Sequence, residues 1–516
     1  MTMRIFLASI LLVLMGCARR VPKAVATSRR PPLPARPLAT RPPLDFVLIP
    51  VPNKPIVSFR LVFHTGSVDD PKGKEGLTAL TARLMTEGGT QSLSSSQLLQ
   101  VLFPMAAELS VHTDKEFTTW VGRVHRDHLQ PFLKILTDVL IHPRFDPNEF
   151  ERLRADALNV IRNDLRNQDE ESLGKVALDA LLYPDHPYRH FVGGTVQGLT
   201  AVTLAEVKSH AQAVFSQDRL VVGLGGAADS DLADKVKSQL APLNAVGRAQ
   251  SVLPPASLVR GKTVIIQKPS LSTAISMGYA YALRRGDPDF YPLAFASSYL
   301  GEHRQFHGVL FRELRERRGL NYGDYAYAEH FRQEGESTLA TTNVARSQQD
   351  FSIWLRPVEP GNALFATRGA LYFFDKLVHA GIDPERFEQV RGFLIGYTRL
   401  WEQTDEQRLG HAIDELFYKT PDYLENYRKA LAALTPEQVT AAIKGHLRPA
   451  DLNYVFVASN AKALRQLLVE QAPSTIAYPT PKAPEVLELD KLISEFHLPL
   501  RPEDISIIDT QSFMER

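Results

Sequence analysis

Short apolar runs separated by turn residues open the folded part of the chain. Phe46-Val47-Leu48-Ile49 is followed by Pro52-Asn53-Lys54-Pro55, then by Ile56-Val57-Ser58-Phe59-Arg60-Leu61-Val62. β-Branched and aromatic residues on either side of a proline-containing turn predict two strands. The same arrangement returns at Thr263-Val264-Ile265-Ile266, Pro269-Ser270-Leu271-Ser272 and Thr273-Ala274-Ile275-Ser276-Met277-Gly278-Tyr279.

The recurrence continues downstream. His142-Pro143-Arg144-Phe145-Asp146-Pro147 and His379-Ala380-Gly381-Ile382-Asp383-Pro384 each open a long helical pattern. In both, Asp sits at the N-cap and Pro at the first helical position. Leu178-Asp179-Ala180-Leu181-Leu182-Tyr183 pairs with Ile413-Asp414-Glu415-Leu416-Phe417-Tyr418, and Thr203-Leu204-Ala205-Glu206-Val207 with Thr435-Pro436-Glu437-Gln438-Val439. Final strands follow at Arg219-Leu220-Val221-Val222-Gly223 and Asn453-Tyr454-Val455-Phe456-Val457. An offset of roughly 220 to 235 residues is too long for a solenoid repeat. The pattern predicts an α+β chain of two similar domains, each a mainly antiparallel sheet packed by helices on one face. Their expected limits are 45–250 and 251–470, with a linker near Leu253-Pro254-Pro255-Ala256. Residues 471–516 read as a proline-rich, mixed C-terminal tail.

Composition bounds the class. The 516 residues are 44% hydrophobic and 23% charged, with a net charge of +1. That is a soluble globular profile, long enough for two cores. It carries no basic excess for nucleic acid, and no nucleotide loop or serine-nucleophile elbow is present. The one cysteine, Cys17, ends a segment with Arg4 near its start, an apolar stretch from Ile5 to Met15, and Gly16 before the break. This predicts a secretory signal, too short to span a bilayer as a stable helix. Leu14-Met15-Gly16-Cys17 resembles a bacterial lipobox, so residues 1–17 are expected to be a lipoprotein signal with lipidation at Cys17. Residues 18–44, rich in Pro and Arg and free of acids, are expected to be a disordered tether. The implied location is the bacterial cell envelope, lipid-anchored, on the outer membrane facing the periplasm.

Phe63-His64-Thr65-Gly66-Ser67-Val68-Asp69-Asp70-Pro71 and the Gly76-Leu77 pair resemble the insulinase/pitrilysin family of zinc metallopeptidases. The resemblance spans about residues 45 to 465. It implies two domains in a clam-like arrangement around an unfolded peptide. In that family an inverted His-x-x-Glu-His motif begins two residues after Gly-Leu. Here those positions hold Ala79, Ala82 and Arg83. A methyl group cannot ligate zinc, and a guanidinium repels it. The family's downstream glutamate falls on Val160 by ungapped counting, or on Asp164 when aligned on Asp169-Glu170-Glu171. No metal is therefore expected in this chain.

Leu310 to Tyr322 reads as a basic amphipathic helix capped by Gly319. It also resembles the family's second-domain motif, in which an arginine is followed seven residues later by a tyrosine. The matching positions are Arg315 and Tyr322, and the resemblance gives them contacts to the substrate backbone and the developing oxyanion. Guanidinium and phenol both donate hydrogen bonds suited to that task. Some bacterial members divide the work between two chains, one with zinc and one with the Arg/Tyr pair. This sequence looks like the second kind: a noncatalytic subunit, inactive alone, whose paralogous partner carries the zinc and with which it takes peptide substrates. Two alternatives stand beside it. One is a structural or peptide-binding envelope protein. The other is a self-sufficient peptidase with a different metal site, for which His303 and His307 beside Glu302 have chelating spacing.

Overall fold

The computed structural model describes residues 45–51, 53–250, 252–302, 305–332 and 339–515. The expected signal, Cys17 and the tether lie outside them. Among the described residues, eleven strands form two sheets. The first joins β1 (Asp45–Pro50), β2 (Ile56–Phe63), β3 (Glu108–Thr113), β4 (Thr118–His125) and β5 (Leu220–Gly226) in the order β1-β5-β2-β4-β3. The second joins β6 (Thr263–Gln267), β7 (Thr273–Tyr281), β8 (Asp324–Tyr327), β9 (Gln349–Val358), β10 (Asn453–Ala458) and β11 (Ile505–Asp509) in the order β11-β6-β10-β7-β9-β8. Removing β11 makes the two orders identical. In each, the first strand pairs parallel with the last, Phe46 opposite Val222 and Val264 opposite Val455, while the remaining pairs are antiparallel. The duplicated pattern of the sequence is thus a duplicated topology.

Helices α1 (Leu77–Glu87) and α2 (Pro147–Asn159) belong to the first half. The next helix, α3 (Glu170–Leu182), leaves it and packs on β7 and β10 of the second sheet. In the second half, α4 (Phe290–Gly301) lies against β8, whereas α5 (Asp405–Tyr418) crosses to β1, β2 and β5 of the first sheet. Each sheet therefore has helices on both faces, one face being covered by the other half. The close approach needs glycine. A Cβ at Gly223 would meet Ile413 at 3.1 Å, and one at Gly225 would meet Leu409 at 3.1 Å. Strands β5, β7 and β10 are buried along almost their whole length, which is why their sequences run apolar instead of alternating.

Residues 471–515, expected to be a tail, are built into the fold, most of them into the second half. Beyond α6 (Tyr423–Ala433), the chain adds α7 (Pro484–Glu495) and β11, which extends the sheet in parallel beside β6. Buried arginines hold this segment. Arg318 donates to Asp490 at 2.8 Å, and Arg368 to the carbonyls of Gln471 at 2.9 Å and Ala472 at 2.8 Å. The chain end then returns to the first half, where Arg166 donates to the Phe513 carbonyl at 2.9 Å and Val196 N–H to that of Met514 at 3.0 Å.

A buried ionic network also joins the halves. Asp114-Lys115-Glu116 turns between β3 and β4, with Asp114 and Lys115 fully enclosed. Arg346 donates to Asp114 at 3.1 Å and lies 5.4 Å over the Tyr188 ring. Ser347 donates from its amide and its hydroxyl to Glu116, both at 2.7 Å. Burial alone would raise the Asp114 carboxyl, but Arg346, His330 and Arg332 outweigh it and hold it well below the usual range. Lys115 is pushed down to about 8 by burial and donates to the carbonyls of Tyr188 at 2.6 Å and His190 at 2.5 Å.

Removing one member of such a network strands the others without a partner. Arg346→Ala should lower the unfolding free energy by about 3–5 kcal/mol. Arg152→Ala, which breaks exposed pairs on α2, should cost about 1 kcal/mol or less. Denaturant titrations of the two variants compare them directly, and equal losses would mean that the buried network contributes no more than a surface pair.

Candidate functional site

The residues that begin the family resemblance set the start of α1. Asp70 is buried and accepts from the amides of Gly76 and Thr78, both at 2.7 Å, and from the Thr78 hydroxyl at 2.6 Å. Gly76 adopts φ 102°, and a Cβ there would meet Leu199 and Gly193 inside 3.0 Å. Asp69 is tied to Thr65 at 2.6 Å and to Arg219 at 3.2 Å. These residues aim α1 and cap it.

Along that helix the expected ligand positions are occupied by other interactions. Ala82 is fully buried in a cluster with Phe63, Met85 and Trp120. Its carbonyl accepts from Thr86 at 2.9 Å, and Thr86 in turn accepts from the Trp120 indole at 2.7 Å. A glutamate has no room there. Arg83 is clamped by Glu87 at 2.8 and 3.2 Å and lies 3.9 Å from Asp156, which Arg152 also holds at 3.0 Å. Ala79, one turn before Arg83, offers only a methyl group. The residues present do not fit a zinc ion. Among the described residues no group of three or more His, Cys, Asp or Glu side chains is placed to hold any metal.

Asp164 does not reach this helix. It lies exposed on Val160–Gln168, a stretch wound as a π-helix beyond α2. The carboxylate of α2 that comes within 4 Å of Arg83 is Asp156, eight residues before Asp164 and on the regular part of the helix. His303 lies outside the described residues. His307 is engaged locally, with its ring 3.2 Å from the Ser298 hydroxyl and packed on Phe393 at 4.3 Å.

The second-half pair is arranged differently. Arg315 sits near the end of another π-wound segment, Phe311–Glu316, with its guanidinium 4.5 Å over the Phe311 ring. Gly319, at φ 69°, ends the segment and donates to the Arg315 carbonyl at 2.7 Å. Past that turn Tyr322 is 79% exposed. It lines a surface groove of about 430 Å3 with Leu271, Leu320, Val358 and Glu359, and Arg315 is not in its wall. Asp324 lies two residues beyond Tyr322 in the chain, fully buried. Asn321 donates to its Oδ1 at 2.7 Å, while Oδ2 has no hydrogen bond. Burial raises this carboxyl to about 8 against the pull of Asn321 and Arg315. The structure thus offers an exposed phenol on a partly apolar groove and a half-buried guanidinium near a carboxyl that burial pushes up. Both can donate to carbonyl oxygens.

A profile described as Insulinase (Peptidase family M16) matches residues 46–184, and one described as Peptidase M16 inactive domain matches residues 201–392. The chain belongs to the insulinase family of peptidases. Among its relatives, the "Non-peptidase homolog YmxG" of Helicobacter pylori is 20% identical over 79% of this chain and 90% of that protein. The "Uncharacterized zinc protease YmxG" of Bacillus subtilis is 21% identical over 56% of this chain and 68% of its own length. The solved structure of a peptidase M16 inactive domain from Pseudomonas fluorescens superposes with a TM-score of 0.71 at 22% identity, covering 80% of this chain and 94% of that one. A chain of Complex III2 from Candida albicans gives 0.65 at 13% identity, covering 80% and 94%.

Within this family fold, the buried network around Asp114 and Arg346 escaped sequence reasoning. Asp-Lys-Glu between two strands has the signature of a solvated turn. Only the long-range partner Arg346 reveals it.

Restoring histidines without the base separates metal binding from activity. Ala79→His/Arg83→His places two imidazoles at i and i+4, on the side of α1 that Asp156 faces. The double variant should take up one zinc per chain, read by metal analysis after dialysis, and should stay inactive, whereas the unaltered chain should retain none. Stoichiometric zinc in the unaltered chain would contradict the assignment of α1 as metal-free.

Proposed function

We propose that this chain is the zinc-less subunit of a two-chain metallopeptidase, inactive alone, which presents peptide substrates to a zinc-bearing paralogue. The observation that carries this reading is a contrast. The metal-motif helix is filled by Ala82 and ion-paired through Arg83, while Tyr322 stands exposed on a groove in the second half. A chain of this family with no fitting metal site has no use for transition-state donors of its own unless another chain supplies the metal. The name "Non-peptidase homolog" borne by a relative supports loss of activity in isolation. In this reading Tyr322 and Arg315 donate hydrogen bonds to the substrate backbone and to the oxygen that gains charge. Cys17 carries the lipid that holds the chain on the outer membrane, and residues 18–44 span from lipid to fold. Among the described residues no helix is long and apolar enough to cross a membrane.

A second reading, a structural subunit within a larger assembly, is favoured by the likeness to a chain of Complex III2. It needs neither Arg315 nor Tyr322.

The two readings separate in one assay. Mixed with a paralogue bearing an intact His-x-x-Glu-His, the chain should produce peptide cleavage that neither protein shows alone. Tyr322→Phe should lower kcat/KM by about 10²-fold, and Arg315→Ala by a similar factor, without loss of association. A mixture that stays inactive, or variants with undiminished activity, would leave only the structural reading. Cys17→Ala should move the chain from the membrane to the soluble fraction.

A further inference from the structure

Inside the second half, away from α1, lies a cavity of about 100 Å3 between α4, α5, α6 and the chain that follows β8. Its walls are aromatic. Trp401 stacks on His411 at 6.3 Å and on Tyr427 at 5.7 Å, and Tyr397 and Tyr423 complete that side. Among the described residues, the lining holds three carboxyls, Glu302, Glu329 and Asp414, and one guanidinium, Arg285. Arg285 is already committed. It pairs with Glu329 at 2.8 Å, approaches Asp414 at 3.9 Å and lies 4.8 Å over Tyr423. Glu302 accepts from Gln305 at 2.8 Å and has no counter-ion among the described residues. His411, 9% exposed, bonds through its ring to the Trp401 backbone and leaves Nδ1 with no hydrogen-bond partner among the described residues.

A wall of rings, a carboxyl with no counter-ion among the described residues and a ring nitrogen with no hydrogen-bond partner among them share one complement: a compact group rich in donors and positive charge. We propose that this cavity binds an organic cation, an ammonium or guanidinium head, with Glu302 as its counter-ion and His411 Nδ1 as a second acceptor. The volume suits a side-chain head and not a folded partner. Tyr327, on the edge strand β8, lines the cavity, and Tyr322 precedes that strand by two residues. A peptide laid along this edge from Tyr322 would bring a basic side chain to the cavity after roughly 20 Å. A free small amine or guanidine shares the same chemistry. The inference does not rest on the split-enzyme reading, because binding is measured on this chain alone.

The site predicts its own pH dependence. Glu302 faces Glu329 and Arg285, Tyr327 of β8, Tyr427 of α6, and His411 and Asp414 of α5. Burial, reinforced by Glu329, holds its carboxyl up at about 8 from an ordinary 4.5. In the empty cavity it stays protonated where the unfolded chain is already ionised. The folded state therefore bears a penalty that grows between those two pH values. A bound cation requires the ionised form, so affinity should rise with pH towards about 8 and then level off.

The test uses the purified full chain, Trp401 fluorescence and titration calorimetry. The probes are methylguanidinium, butylammonium and an unfolded peptide with a single arginine, set against its glutamine counterpart. Saturable binding is expected, weakened at least about tenfold by Glu302→Gln, with the pH dependence flattened in that variant. Trp401→Phe should remove the fluorescence change while the heat remains. Glu302→Gln should also raise the melting temperature more at pH 8 than at pH 5, which shows that the variant folds. If the arginine peptide binds at least tenfold tighter than methylguanidinium, the source is a side chain. Equal affinity assigns a free cation. No saturation by any probe, or binding indifferent to Glu302→Gln, overturns the proposal.

Discussion

A sheet whose central strands are apolar on both sides must be covered on both sides. Here neither half covers its own second face. The first lends α3 to the second sheet, and the second lends α5 to the first. Removing either helix would bare strands such as β5, β7 and β10, which are buried along nearly their full length. At about 25 cal/mol per Å2 of apolar area, such exposure is not tolerated by a marginally stable domain. The glycines of β5, the ionic network at Asp114 and the returning chain end all serve the geometry that this exchange imposes.

Much of the fold was legible because duplication leaves two copies of each signal. Opening strands, Asp-Pro helix starts and final strands were read twice and found twice, but the opening strands do not pair with each other as hairpins, because the final strand of each half, β5 or β10, lies between them. The segments Leu178–Tyr183 and Ile413–Tyr418 were legible as a matched pair, and they prove to be the exchanged helices. That exchange itself left no mark, since an amphipathic helix carries the same pattern whichever sheet it covers. Residues 471–516 looked like a tail because the groups that hold them, Arg318, Arg368 and Arg166, are far away in sequence.

At the site, identity was legible and geometry was not. Ala79, Ala82 and Arg83 announce the lost motif directly. That Ala82 is locked into the core, and that Asp156 and not Asp164 faces Arg83, depends on packing between helices. The loss of metal is therefore more than missing ligands. The space and the charge balance of α1 have been reassigned to holding the fold.

The exchange of helices also sets an order of events as the chain is made. The first sheet closes when β5 emerges, but its second face waits for α5, about 180 residues later. At ordinary synthesis rates that is a delay of roughly ten to forty seconds. Through that interval an apolar surface stands open on the nascent chain. A protein of this topology depends on being kept unfolded, or escorted, until its second half arrives.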